Sequence, residues 1–392
     1  MNIDSLISTL YPTLAGIRRD LHSHPELGYE EHRTSDLVAN YLEGLGLTVT
    51  RGLGKTGVVA TLHVGSGSRA IGLRADMDAL PVEELNSFDH RSRHPGKMHA
   101  CGHDGHTTLL LGAANILSKT RNFDGAVHFI FQPAEEMGGG GKAMLSDGLL
   151  ERFPMDQVFA LHNWPGLDVG KIHLRGGAIM AGADTFEIVI DGRGGHAAMP
   201  HQAIDVIVAG SALIQSLQIL VARKIDPQDA AVVSVTKFNA GHAKNVLPDR
   251  AELAGTVRMF RPEIREILRR GLREMCSGVE MAFGVTVKLN YEDGYPPTIN
   301  AEEPVQLARR VAQEVFGTEN VLSNLPASMG SEDFAFIANA VPGCYAWLGN
   351  GPTEGGCLLH NPHYDFNDES IAMGVSYWVR LVESILMLRR GG

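Results

Sequence analysis

The sequence predicts an α/β protein of two domains: a larger one built on a mostly parallel central sheet, and a smaller ferredoxin-like (α+β) one inserted into it. Three observations carry the prediction. A chain of 392 residues is longer than one hydrophobic core usually organises. Four short apolar runs in the first half, "GVVATLHV", "AIGLRA", "AVHFIFQ" and "QVFALH", hardly alternate, as strands buried on both faces do. In the middle third the rhythm changes to strand, helix, two strands, helix, strand, the order of a self-contained antiparallel unit.

The first element is a helix over 4–21, where Leu6, Ile7, Leu10, Leu14, Ile17 and Leu21 recur at helical spacing. Thr34 or Ser35 is placed to cap a second helix running to Leu45. The four apolar runs follow as strands, and the last three end in polar residues, at the carboxyl ends where such sheets bind ligands. The inserted unit reads as the strand "DTFEIVIDG", a helix over 203–221, the strands "AAVVSVTKF" and "RAELAGTVRMF", a helix over 262–282 and the strand "GVTVKLNYED". After it come a helix opened by Pro304 and closed by Gly317, the strand "CYAWLG", and a last helix from about Glu369 to Leu388. The domain boundaries that follow are 1–182 with 295–392 for the larger domain, and 183–294 for the inserted one.

Hydrophobic residues make up 44% of the chain and charged residues 20%, a composition that buries a sizeable core and argues against disorder. A net charge of −11 argues against nucleic acid or an anionic membrane as the main partner, since both call for a basic face. The first twenty residues lack a basic segment followed by an apolar one, and no run reads as long enough to span a bilayer. The expectation is a cytoplasmic protein. Cysteines at 101, 276, 344 and 357 are too sparse for a disulfide framework.

The stretch "GKMHACGHDGH", 96–106, raises the question of chemistry. Cys101 and His103 lie two apart in a loop feeding a helix, and a thiolate with an imidazole at that spacing can chelate one borderline-soft ion. The plain alternative is a capping loop that happens to hold both residues. Other strand ends alter the balance: "FIFQPAEE" delivers Glu135 and Glu136, "VFALHNW" delivers His162, and "LLHNPHYDF" holds His360 and His363. A glutamate, a thiolate and three imidazoles exceed the four ligands of a closed structural zinc site, which points to an open catalytic site with room for two metals. Adjacent side chains on extended backbone point to opposite sides, so one of Glu135 and Glu136 can ligate while the other faces substrate as a base. Spacing does not say which does which.

Together, "LRADMDALP", "GKMHACGHDGH", "FQPAEE", "ALHNWP", "GRGGHAAMPH", "NVLPD", "GTVRMF", "MGSEDF" and "LLHNPHYDFND" resemble the amidohydrolase branch of the aminoacylase and carboxypeptidase family of metallopeptidases. They do so in family order and over almost the whole chain. That branch includes hippurate hydrolases, N-acyl-amino-acid amidohydrolases and auxin-conjugate hydrolases. The resemblance implies a catalytic α/β domain interrupted by a lid that also mediates dimerisation, hence a homodimer or higher homo-oligomer. It implies metal ligands at Cys101, His103, Glu136, His162 and His360, and Glu135 as general base. It implies that His196 polarises the scissile carbonyl, and that Asn245 and Arg258 hold the substrate's carboxylate. Arg258 suits that task physically, since its planar fork binds a carboxylate through two hydrogen bonds; without the motif it would read as a solvated charge. The chain departs from other branches of the family in carrying Asp76-Met77-Asp78 where they have H-x-D. His103 is expected to replace the missing imidazole, with Asp78 orienting a ligand from behind. His242 stands where the pattern has a small residue or threonine and reads as a surface histidine, while His99, His106, His201 and His363 read as structural or as supports of the ligands.

The expected reaction is metal-dependent hydrolysis of the amide bond of a small-molecule N-acyl amino acid, with two divalent ions (Mn, Zn, Co or Ni) per subunit. A peptidase or carbamoylase acting on a small peptide-like substrate with the same metal site is the second reading. A cysteine amidase using Cys101 leaves Glu135, Glu136, His162 and His360 without a role, and a non-catalytic sensor of acyl-amino acids leaves the two glutamates without one. The identity of the acyl group is not legible in the residues.

Overall fold

A computed structural model describes residues 2–387 and divides the chain into two compact units. The first comprises the chain up to Ile179, residues 299–326 and the chain from Asp333 onward. The second comprises Met180–Thr298 with Ala327–Glu332.

The first unit is built on an eight-stranded sheet in the spatial order Thr48–Leu53, Gly57–Val64, Gly125–Gln132, Ala70–Asp76, Gln157–Trp164, Gly343–Gly349, Ile172–His173, Val321–Leu322. The four strands from Gly125–Gln132 to Gly343–Gly349 run parallel. They are buried almost without alternation, as strands covered on both faces are. Gly57–Val64, expected among the parallel strands, instead lies antiparallel to both neighbours, because a turn with positive φ at Gly54 and Lys55 folds it back on Thr48–Leu53.

The helices Ile3–Ser23, His103–Thr120 and Ser370–Ile385 pack against one another. His103–Thr120 is buried continuously from His103 to Leu117, so it is a core helix whose first residue already lies in the interior. The second helix, His32–Gly44, starts ahead of the expected caps Thr34 and Ser35. Glu31 stands at its N-cap but spends its carboxylate elsewhere, accepting from Thr56 Oγ1 at 2.6 Å and the Ala134 N–H at 2.8 Å. The helix expected from Pro304 begins at Glu302 and ends at Phe316, with Gly317 at the C-cap. Leu388, the expected end of the last helix, lies outside the described residues.

The second unit has a four-stranded antiparallel sheet in the order Ala231–Ala240, Arg250–Met259, Gly182–Asp191, Thr286–Tyr295. Burial alternates strictly along Arg250–Met259, so one face is covered, and with the helices Val206–Lys224 and Pro262–Phe283 the sheet encloses its own core around Phe186, Leu213, Leu253 and Leu268. Asp205 caps the first of these helices through the Ile207 and Val208 N–H groups. That helix is long and apolar enough to cross a membrane, contrary to the expectation that no such run occurs. Val206, Ala209, Leu213, Leu217 and Leu220 on it are spent on the unit's core.

Candidate metal centre

The carboxyl ends of the parallel strands deliver the chemistry of the first unit. Asp76 ends Ala70–Asp76 with Asp78 two residues on, Glu135 and Glu136 follow Gly125–Gln132, and His162 lies near the end of Gln157–Trp164. Cys101 and His103 flank the start of the buried helix, and His360 sits in the loop after Gly343–Gly349. Between Cys101 and His103 only glycine fits: Gly102 has φ +90°, and a Cβ there would lie 2.2 Å from Asn163 Nδ2 and 2.3 Å from the Tyr364 hydroxyl. Asn163 uses that space to donate to the Cys101 carbonyl at 2.6 Å and to accept from Tyr364 at 2.7 Å. The His360 N–H donates to the Ala100 carbonyl at 2.7 Å, tying the two loops together. Ala134, next to Glu135, and the donor His360 itself hold left-handed φ of +49° and +64°, a strain that persists only because such bonds over-determine it.

Donor atoms lie within 4.8 Å of one another in the set of Cys101 with Glu136 and His360, in that of His103 with Glu135 and Glu136, and in that of Asp76 with His103, His106 and His162. Cys101 Sγ is 3.4 Å from His162 Nε2, while Glu136 Oε1 is 3.3 Å from His360 Nε2 and 3.8 Å from His103 Nε2. Hydrogen bonds decide which ring nitrogens are available. His103 Nδ1 donates to Asp78 Oδ1 at 3.1 Å and His162 Nδ1 to the Asn163 carbonyl at 2.7 Å, so both rings turn Nε2 toward the cluster. His106 differs: Nδ1 donates to Asp76 Oδ1 at 2.6 Å and Nε2 accepts from the Asn163 N–H at 2.9 Å, which uses both nitrogens. The second oxygen of Asp78 accepts from the Glu136 N–H at 3.0 Å, so one carboxylate fixes two donors. Glu135, itself buried, accepts the Asp333 N–H at 3.3 Å.

Burial, and after it Glu136, Glu135 and Asp76, hold the Cys101 thiol well above its ordinary value. Burial and His106 hold His162 well below its own. The pair is therefore a thiol beside a neutral imidazole, unlike the thiolate–imidazolium of a cysteine nucleophile. Burial opposes charge on His103, yet Asp76, Asp78 and Glu136 outweigh it and raise the ring to about 10. The surrounding acids thus call for a cation, and a divalent ion satisfies them while drawing the thiol to thiolate. Among the described residues buried His103 Nε2 has no hydrogen-bond partner, and buried Glu136 Oε1 faces only the ring nitrogens of His360 and His103, a cost that coordination removes. Mixed sulfur, imidazole and carboxylate donors suit borderline divalent ions, and the residues present fit a divalent metal.

The other predicted residues belong to the second unit. His196 sits on the short ribbon Gly195–His196, paired with Val246–Leu247. It is exposed, and its Nδ1 accepts from the Ala198 N–H at 3.1 Å, which leaves the proton on Nε2. Asn245, also exposed, accepts the Ala197 N–H on its carbonyl at 3.1 Å and so neighbours His196. Arg258 is half-buried on Arg250–Met259, where it donates to Thr256 Oγ1 and, at 3.1 Å, to the Val257 carbonyl. Burial pushes its guanidinium down, with Asp184 opposing, and among the described residues it forms no ion pair. A cavity of about 590 Å³ in this unit, bordered by Gly195, His242, Val246 and Arg250, touches none of these three side chains. His201, His242 and His363 are exposed, whereas His99 is buried with neither ring nitrogen hydrogen-bonded among the described residues.

Residues with a part in the cluster to which sequence reasoning assigned no role are Asn163, Tyr364 and Arg74, with Asp76 noted only where an imidazole is missing; His106, expected as structural or as a support of the ligands, bonds Asp76 and the Asn163 N–H. That reading of His106 agrees with its place one helical turn from His103 on the same face. A signal existed for Arg74 and Asp76, which share one side of a strand at i and i+2.

A metal-capable cluster at the carboxyl edge of such a sheet, with a second acid beside it, defines a metallohydrolase, and the chain belongs to peptidase family M20/M25/M40, whose sequence model matches residues 72–384. It is a metal-dependent amidohydrolase. The hippurate hydrolase of Campylobacter jejuni is 44% identical over 97% of this chain and 98% of its own. An IAA-amino acid hydrolase of Arabidopsis thaliana is 40% identical over 95% of this chain and 86% of its own. Among solved structures, the Bacillus subtilis YXEP protein, a dinuclear metal binding peptidase of the M20 family, matches with a TM-score of 0.85 at 33% identity, covering 97% of this chain and 99% of that one.

Proposed function

We propose that this chain hydrolyses N-acyl amino acids to a carboxylic acid and a free amino acid, with two divalent ions of the Mn, Zn, Co or Ni type held by Cys101, His103, Glu136, His162 and His360. The observation that carries the proposal is the placement of Glu135: a buried second carboxylate beside the sulfur, imidazole and Glu136 donors, within 4.8 Å of His103 and Glu136. The amino-acid half of the substrate is supported by the relatives, since hippurate and IAA-amino acids both join an acyl group to an amino acid.

The chemistry that bound divalent ions supply is a water whose pKa falls to about 7 and a polarised carbonyl. Glu135 takes the proton of the attacking water and returns it to the leaving amine, a role worth ~10²–10⁴ in rate. Asp78 and the Asn163 carbonyl keep His103 and His162 in the tautomers that present Nε2. His196 donates from Nε2 to the developing oxyanion, a contact whose loss costs ~10²–10³ in turnover. Asn245 and Arg258 receive the substrate's carboxylate, for which a half-buried guanidinium that forms no ion pair among the described residues is suited. The active species is proposed to be a homodimer, measurable by sedimentation equilibrium. Glu135→Gln keeps the shape and the metal donors but removes the base, so turnover of a panel of N-acyl amino acids should fall at least ~10²-fold with metal content unchanged. Near-normal hydrolysis by that variant rules the mechanism out.

A further inference from the structure

The loop that carries Glu135 and Glu136 runs from Gln132 to Gly141 and includes four consecutive glycines at 138–141. Such a sequence leaves the backbone free rather than fixing a side chain. One buried carboxylate closes it. Asp333 Oδ1 accepts from Gln132 Nε2 at 2.6 Å and from Arg74 Nη2 at 3.2 Å, and Oδ2 accepts from the Gly141 N–H at 2.8 Å. The N–H of Asp333 donates in turn to Glu135 Oε1 at 3.3 Å. Arg74 extends the assembly, donating from Nε to Gln132 Oε1 at 2.9 Å and from Nη1 to Asp76 Oδ2 at 2.7 Å. Arg74, Asp76, Gln132 and Asp333 are all buried. Asp333 also occupies the N-cap of the helix Phe334–Ala340, yet its side chain makes no capping bond. Aspartate there ordinarily caps its own helix; here the carboxylate is turned to the loop instead.

We propose that Asp333 is a positioning residue for Glu135: its carboxylate clamps both ends of the loop while its backbone N–H holds the Glu135 carboxylate, and Arg74 ties the clamp to Asp76. This rests on the assignment of Glu135 as the base and extends it to side chains outside the five proposed ligands. A clamp of this kind acts on the alignment of the base in the transition state, so its loss lowers kcat and leaves substrate binding and metal retention in place.

The test compares Asp333→Ala, Asp333→Asn and Arg74→Lys with wild type and Glu135→Gln, all saturated with Mn²⁺, for kcat and KM on an N-acyl amino acid that the wild type turns over, and for metal per chain. Asp333→Ala should lose ~10–100-fold in kcat, Asp333→Asn less because it keeps one acceptor, with KM within about twofold of wild type and metal per chain unchanged. Wild-type kcat in folded, metal-replete Asp333→Ala overturns the proposal, and so does a loss that excess metal restores. Should Asp333→Ala not fold, Arg74→Lys decides: it keeps the buried charge but cannot reach Gln132, Asp76 and Asp333 together, and normal turnover by it overturns the proposal equally. Normal turnover by Glu135→Gln removes the base assignment itself, whereas an inactive Glu135→Gln beside a normal Asp333→Ala removes the clamp alone.

Discussion

His22 lies away from the metal donors, yet the first turn of the helix that begins at His103 leans on it. His22 Nδ1 is 2.8 Å from Asp104 Oδ2 and Nε2 is 3.2 Å from Glu84 Oε1, with all three side chains buried. Burial opposes the charge on His22, but Asp104 and Glu84 outweigh it and raise the ring from 6.5 to about 9. At about 1.36 kcal/mol for each pH unit, that rise is worth on the order of 3 kcal/mol of folding stability. Because the folded pKa is the higher one, the contribution is complete below about pH 6.5 and is lost as pH climbs to about 9. His22→Gln keeps a comparable bulk and a donor, and Asp104 retains Arg18 at 3.7 Å. The variant should therefore be less stable than wild type by on the order of 3 kcal/mol near pH 6 and by much less near pH 10. Urea unfolding of both metal-saturated proteins across that range reads the difference, in which the titration of groups remote from His22 cancels. A difference that stays flat with pH refutes the ion pair, as does an NMR midpoint for the His22 ring near 6.5.

Two further outcomes bear on the metal centre. Asp78→Ala frees the His103 ring and the Glu136 backbone together, and should weaken metal binding by about 10–100-fold; competition against a chromogenic chelator measures it, and an unchanged affinity means that Asp78 orients nothing. Dialysis against a strong chelator should abolish turnover and lower the unfolding midpoint, with Mn²⁺, Co²⁺, Zn²⁺ or Ni²⁺ restoring both; hydrolysis by protein shown to be metal-free contradicts the proposed function.

Elements that bury their own apolar residues leave a trace in the sequence. The helical period from Ile3 to Ser23 and the unalternating runs at Ala70–Asp76 and Gly125–Gln132 are of this kind. Ile172–His173 and Val321–Leu322 leave none, since strands of two residues are made by the neighbours they pair with. The direction of Gly57–Val64 was equally hidden, because an apolar run reads the same in a parallel or an antiparallel ladder; the hairpin turn at Gly54 and Lys55 is what sets it.

The candidate ligands are legible one by one, as reactive residue types at the ends of strands. The layer that supports them is not, because a buried arginine on a strand looks in sequence like any other arginine. Arg74 reaches Asp333 across 259 positions of chain, a contact that exists only once the sheet has formed. Its cause lies in strand register: Asp76 stands opposite Gln132 and Arg74 opposite Ile130 in the parallel pair, which brings Gln132 and the loop beyond it level with Asp76. Side chains on a strand alternate between faces, so a slip of one residue would turn Arg74 and Asp76 to the opposite face. Leu73, Ala75, Phe129 and Phe131, buried in the core, hold that register by their packing. The apolar residues that announce the fold are thereby the ones that keep the acid layer, and Glu135 with it, in place.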